Sequence, residues 1–269
     1  VNKNILQAVS GGYDSTYLLI KNLQNGDNVY PIYIHASFLY QMKHLIEYSR
    51  VKSLIQKLRK NYKNLHSLTE NHISMDNIKN ITSVQPIAWI LILFSEAKRR
   101  RYSVKYDEVH ISYIKNDCAI SHLPTIRALW KLLFSFSWVP HTVPKLFFPL
   151  SKYSKKKIIE KIQDFDKNIL ASCWTCEKPR IIKKCKGKDN SIDVYIEACG
   201  SCQPCKNLIK TKRALFDALK KYKAVFNYKV FRDSCNAKID ELIKNDDIED
   251  INPKYISLKN ANKKLIKKL

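Results

Sequence analysis

Over the first 165 or so residues the hydrophobic period switches repeatedly between two and 3.6, and that alternation constrains the fold more than any other feature. Short apolar runs at 4–9, 29–35, 72–75, 107–113 and 145–148 predict strands. Runs with helical spacing at 15–23, 41–59, 85–101, 124–134 and 154–162 predict the intervening helices. Strands alternating with helices imply an α/β, Rossmann-like parallel sheet with helices on both faces. Pro31 places the second strand at a sheet edge or at a strand start. The basic turn at 98–101 suits a helix C-terminus, and Ser154 suits an N-cap. Ligands of such sheets bind beyond the C-terminal ends of the strands. Chemistry is therefore expected at Ser10, around 35–40 and around 113–117.

After about residue 169 the alternation breaks, and helices are expected at 211–221 and 237–244. The organisation expected is an α/β domain over 1–168, a cysteine-rich metal-binding segment with a helix over 169–225, and a helical extension over 226–269. The stretch 129–150 (LWKLLFSFSWVPHTVPKLFFPL) is rich in aromatics; its prolines favour core packing or a dimer contact over a membrane-surface helix.

The 269 residues carry 48 Lys and Arg against 24 Asp and Glu, a formal charge of +24. Such charge invites a nucleic-acid partner. Of the basic residues 39 are Lys and only 9 are Arg, and they are spread over the whole chain. Arg is the better bidentate phosphate and base ligand, so nucleic acid is the less favoured partner. The longest uninterrupted apolar run, 87–94, has eight residues, where a membrane span needs about 20. The first residues show no signal-peptide pattern, so the expected compartment is a reducing cytoplasm, with no membrane partner.

Glycine is scarce, five in the chain, yet two adjoin in Ser10-Gly11-Gly12-Tyr13-Asp14-Ser15-Thr16, between the first strand and the first helix. Glycines there let the backbone turn sharply and bring N–H groups to an anion. The helix N-terminus adds its dipole and unpaired donors. Ser10, Ser15 and Thr16 can donate to phosphate oxygens, and Asp14 can cap the helix or hold Mg²⁺ with the phosphates. The string is neither GxxxxGK[ST] nor GxGxxG.

Six of the eight cysteines crowd into 173–205, namely Cys173, Cys176, Cys185, Cys199, Cys202 and Cys205. Close cysteines in a reducing compartment are metal ligands before they are disulfides. Cys199-Gly200-Ser201-Cys202-Gln203-Pro204-Cys205 supplies three thiolates, and Cys173 or Cys176 can supply a fourth for a closed, structural Zn²⁺ site. Redox chemistry of the Cys173–Cys176 pair is the lesser reading.

SGGYDST resembles the pyrophosphate-binding loop of the PP-loop ATP pyrophosphatases, a branch of the adenine nucleotide α-hydrolase-like (HUP-type) fold. Together with Ser172-Cys173-Trp174 and the CGxCxxC string it is similar to the QueC family of 7-cyano-7-deazaguanine synthases, as a divergent and possibly viral member. Tyr40, His44 and Glu47 match the spacing of that family's YGQRHxxE-like string. Pro86, Asn116-Asp117, Pro149-Leu150 and Ser154-Lys155 echo further segments. The family's YPDCRP-like substrate segment has no counterpart; the chain reads Cys118-Ala119-Ile120-Ser121-His122-Leu123-Pro124 there.

The resemblance implies that Ser10, Gly11, Gly12, Asp14, Ser15 and Thr16 hold ATP. It places His44, Glu47, Asp117 and Lys155 on the substrate side, and makes Cys173, Cys199, Cys202 and Cys205 the zinc ligands. The implied reaction adenylates the carboxylate of 7-carboxy-7-deazaguanine. Ammonia then displaces AMP, and a second ATP converts the amide to the nitrile. The implied cofactors are ATP, Mg²⁺ and structural Zn²⁺, and a homodimer is implied as well. Two alternatives stand beside it: a PP-loop tRNA-modifying enzyme of the thiolase or lysidine synthetase kind, and a QueC-like enzyme that attaches a deazapurine to a macromolecule.

Overall fold

The computed structural model describes residues 2–37, 41–74, 84–100, 103–136, 143–186, 191–219 and 221–227. Five parallel strands, β1 (Asn4–Ala8), β2 (Asn28–Ser37), β3 (Thr69–Ser74), β4 (Glu108–His110) and β5 (Lys145–Phe147), form one sheet in the order β3-β2-β1-β4-β5. The helices that alternate with them are α1 (Tyr13–Gln24), α2 (Gln41–Arg59), α3 (Val84–Arg99), α4 (Leu123–Ser135) and α5 (Lys155–Phe165). The strand order reverses at β1, which makes this the Rossmann-like α/β sheet that the alternation predicts.

Side chains of successive strand residues divide between two cores. Val9, Val29 and Tyr33 pack with Leu18 and Leu19 of α1, Val51 and Leu54 of α2, and Ile158 and Ile162 of α5. Leu6, Ala8, Ile32, Ile34 and Val109 pack with Ile90 and Leu93 of α3 and Ile126 and Trp130 of α4. Burial on both faces is why these strands read as nearly continuous apolar runs.

β2 is an interior strand, which corrects the edge position expected from Pro31. The Ile32 carbonyl accepts from Val9 N–H on the β1 side, so by alternation the Pro31 nitrogen faces the β3 side. There it falls between the isolated Val29–Leu65 bridge and the first β2–β3 partners, Ile32 and Thr69. The missing N–H costs no ladder bond. β4 is shorter than the predicted 107–113. Its partner β5 pairs with only three of its residues, and beyond Ile111 the chain turns into a 3₁₀ helix at Cys118–His122.

In the aromatic stretch, Trp130, Phe148 and Leu150 are buried, whereas Leu132 and Phe136 are exposed; residues 137–142 lie outside the described ones. No helix among the described residues is long and apolar enough to cross a membrane.

The short helix α6 (Lys167–Ser172) runs across the expected boundary at 168/169. Beyond it the chain is not only helical as expected. β6 (Arg180–Lys186), β7 (Ser191–Glu197) and β8 (Lys221–Asn227) form a three-stranded antiparallel sheet, with α7 (Gln203–Leu219) between β7 and β8. The alternation that produces it is plain in Ser-Ile-Asp-Val-Tyr-Ile-Glu at 191–197. α7 starts eight residues before the expected 211, and position 221 opens β8 instead of closing a helix. The helix expected at 237–244 lies outside the described residues.

Candidate nucleotide site and thiol cluster

The SGGYDST string occupies the turn from the C-terminal end of β1 into α1, beside the reversal of strand order. Gly11 has φ +74°, a left-handed conformation that favours glycine, and a Cβ there would stand 3.0 Å from Val51 Cγ2. The hydroxyls tie the turn to itself. Ser10 N–H donates to Ser15 Oγ at 3.1 Å, the Ser10 and Ser15 hydroxyls lie 3.2 Å apart, and Gly12 N–H donates to Ser10 Oγ at 3.4 Å. Asp14 and Thr16 point differently. Asp14 Oδ1 is buried with no hydrogen-bond partner among the described residues, while the Thr16 hydroxyl bonds the Cys173 thiol. A buried polar atom left unsatisfied costs about 1–3 kcal/mol, so one at a helix N-terminus is a candidate contact for a polar ligand.

Three of the expected site residues meet there. Lys155 Nζ, at the start of α5, donates to Asp14 Oδ2 at 2.6 Å and lies 5.6 Å from the centre of the Tyr13 ring. Ser154 caps α5 as predicted, its hydroxyl accepting from Lys157 N–H. Asp117 accepts from Ile114 N–H at 2.8 Å, which holds the turn after β4. Burial pushes the Asp117 carboxyl up from its ordinary value, and Asp14 and Lys155 are the charged groups that act on it. Glu47, on α2, has a buried side chain to which Tyr33 O–H donates at 3.3 Å, and its backbone carbonyl lies against Gly11. His44 is on the first turn of α2, and its side chain lies outside the described residues.

The thiols that gather are Cys176, Cys199, Cys202 and Cys205, all within 4.8 Å of one another. This corrects the resemblance, which made Cys173 the fourth ligand. Cys173 is three residues upstream, at the end of α6, and its thiol donates to Ile169 O at 3.5 Å. The cluster forms locally. Gly200, at φ +69°, turns the chain between Cys199 and Cys202; Cys202 N–H donates to Cys199 Sγ and Cys199 N–H to Cys176 Sγ. Hydrogen bonds from Cys176 and Cys205 hold the Cys202 thiol far below its ordinary value, while its bond to Cys202 raises Cys176. Four sulfurs around a tetrahedral Zn²⁺ at about 2.3 Å stand about 3.8 Å apart, so the donor set fits zinc; four cysteines also suit an iron–sulfur cluster.

The SGGYDST turn and the thiol cluster share a wall. Trp174 N–H donates to Gly11 O at 2.9 Å. A cavity between the two is lined by Tyr13, Cys173, Cys176, Cys205, Leu208 and Phe216. Burial pushes the Cys173 thiol up to about 12. A thiol so protonated and so enclosed does not suit the redox-pair reading of Cys173 and Cys176.

Sequence reasoning missed a buried polar chain behind the loop. Gln7 Nε2 donates to Ser15 O, Asn22 Nδ2 donates to Gln7 Oε1 and lies 3.1 Å from His110 Nδ1, and His110 Nε2 meets Glu108 at 2.8 Å. Its one signal was Gln7 inside the otherwise apolar Ile-Leu-Gln-Ala of β1.

No protein-family model and no curated protein sequence matches the chain. Among solved structures it is similar to the U34-tRNA thiolase NcsA from Methanococcus maripaludis with its [4Fe-4S] cluster, at 14% identity and a TM-score of 0.39, over 81% of this chain and 71% of that one. It is similar to a 4-thiouridine synthetase solved with RNA and bound ATP, at 13% identity and a TM-score of 0.43, over 83% of this chain and 55% of that one. It is also similar to an NMN synthetase from Francisella tularensis, at 16% identity and a TM-score of 0.34, over 63% of this chain and 65% of that one.

Proposed function

We propose that this chain is an ATP-dependent adenylating enzyme whose acceptor is the carboxylate of 7-carboxy-7-deazaguanine. The observation that carries the reading is the unpartnered buried oxygen Asp14 Oδ1, at the start of α1 beside Lys155. A triphosphate laid on this N-terminus receives backbone N–H groups, the Thr16 hydroxyl and the Lys155 ammonium. Asp14 Oδ1 would hold Mg²⁺, which would supply charge neutralisation at the phosphates. The substrate carboxylate attacks the α-phosphorus and pyrophosphate leaves. Ammonia then attacks the acyl carbon, AMP leaves, and the product is the amide. In a second round the amide oxygen takes AMP from another ATP, and loss of AMP and a proton yields the nitrile. Asp117, kept protonated more readily by burial, is the acid–base group closest in kind to this task. The thiol cluster holds structural Zn²⁺ and braces the loop.

The test is AMP release from ATP, Mg²⁺, ammonium and 7-carboxy-7-deazaguanine, with the base followed by mass spectrometry. Base-dependent AMP with an amide or nitrile product is expected. AMP no higher than in the base-free control overturns this acceptor.

The charge of +24 favours a second reading, a PP-loop enzyme acting on tRNA. It predicts tRNA-dependent AMP release and tRNA binding that weakens steeply with salt.

A further inference from the structure

A group of metal-type donors lies outside the nucleotide loop and the thiol cluster. His35 and His72 are register partners on β2 and β3. Glu70, two residues before His72, shares their face of the sheet. Both imidazoles converge on one carboxylate oxygen: His35 Nε2 is 2.6 Å and His72 Nε2 is 3.3 Å from Glu70 Oε1. The rings lie nearly parallel with centroids 4.2 Å apart. Tyr48, on α2, packs 5.1 Å from the His35 ring and hydrogen-bonds the Glu70 carboxylate.

We propose that His35, Glu70 and His72 bind a divalent first-row transition-metal ion. The donor set is two imidazole nitrogens and one carboxylate oxygen, which suits Zn²⁺, Co²⁺ or Ni²⁺ better than the oxygen-seeking Mg²⁺ and Ca²⁺. Tetrahedral N and O donors at about 2.0–2.2 Å from an ion stand about 3.4 Å apart. The His72–Glu70 separation is already close to that, and the His35–Glu70 separation is the hydrogen bond that the ion replaces. The His35 side chain is largely enclosed, with Tyr33 and Tyr48 against its ring, while the His72 side chain is 71% exposed and turns onto the ion without disturbing the core. Tyr48 is the outer partner that orients the carboxylate, as metal-bound carboxylates require. Three protein donors leave a coordination position for water or an anion, unlike the closed four-thiol site. The group stands near the C-terminal ends of β2 and β3, the end of the sheet that carries the nucleotide loop.

The experiment uses the full chain with its thiol cluster metal-filled, the metal content counted by elemental analysis, and titrates it with CoCl₂ at pH 7.5. One further equivalent of Co²⁺ is expected, with the visible d–d bands of a four-coordinate N/O site and no thiolate-to-cobalt charge-transfer band. The affinity should fall by about tenfold or more in both His72→Ala and Glu70→Gln, the size seen even for loss of an outer partner. His72 is exposed, so its replacement leaves the fold intact, and circular dichroism checks this. No saturable binding, a thiolate charge-transfer band, or undiminished affinity in either variant overturns the proposal. None of these readouts depends on ATP turnover, so the adenylation reading and this site fail separately.

Discussion

Asp14 and Lys155 stand 141 residues apart in sequence and 2.6 Å apart in space. The contact joins the first helix of the sheet to the helix that follows its last strand. The Lys155 and Asp14 side chains are 23% and 20% exposed. Removing the ammonium would leave a mostly buried Asp14 carboxylate without its partner, which costs more than breaking a surface pair. Lys155→Met should therefore lower the melting temperature measurably. It should lower base-dependent AMP release about 10²- to 10³-fold, the scale for removing one preorganised charge from a reacting centre. Melting curves and AMP kinetics on the same preparation check both halves.

The two glycines of the loop should behave differently. Gly11→Ala forces a left-handed alanine, at about 1–2 kcal/mol, and drives its Cβ onto Val51. Gly12 has φ −75°, and a Cβ there meets nothing nearer than 3.5 Å. Urea unfolding should show a clear loss of stability for Gly11→Ala and almost none for Gly12→Ala.

Metal content distinguishes the two candidate fourth ligands. Cys176→Ser should lower bound zinc by one equivalent per chain and lower the melting temperature. Cys173→Ser should leave the zinc in place. Elemental analysis of the two proteins after mild chelator treatment measures this, and iron with a brown chromophore in the parent would assign the cluster to iron instead.

Stability should fall as pH drops below about 6.5. Burial lowers His110, His66 and His35 below the ordinary imidazole value. A histidine depressed in the folded state binds protons more readily when unfolded, so its contribution is complete above the unfolded value and is lost as pH falls toward the folded one. Urea midpoints at pH 7.5 and 5.5 should show the decline. His110→Leu should flatten it, at a cost in stability at pH 7.5, because Asn22 and Glu108 lose a partner.

The sheet was legible because its strands carry apolar runs and its helices carry 3.6-residue stripes, and both signals are local. The turn from β1 into α1 was legible for the same reason, since Ser10 to Thr16 is one continuous string. What escaped was set by distance in sequence. Pro31 looked like an edge residue because its harmlessness depends on where β3 begins, 38 positions later at Thr69. Cys173 and Cys176 are equally spaced for a knuckle. Only the direction of the chain leaving α6 decides which thiol turns toward Cys199. The antiparallel sheet of β6, β7 and β8 was readable in principle from its alternation, but the cysteine spacing drew the reading toward metal and helix. Among the positions expected on the substrate side, Asp117 and Lys155 fall beside Asp14, while Glu47 turns inward to Tyr33.

The hydrogen bond from Trp174 to the carbonyl of Gly11 fastens the sharpest bend of the loop to the segment that enters the thiol cluster. Two positions beyond Trp174 the same segment delivers Cys176. If the four thiols hold an ion, as proposed, its loss would slacken that segment first, and the slack would reach the turn at Gly11 through a single peptide. On the proposed reading, metal scarcity would then loosen the hold on ATP while Ser10, Asp14, Ser15 and Thr16 stayed unchanged.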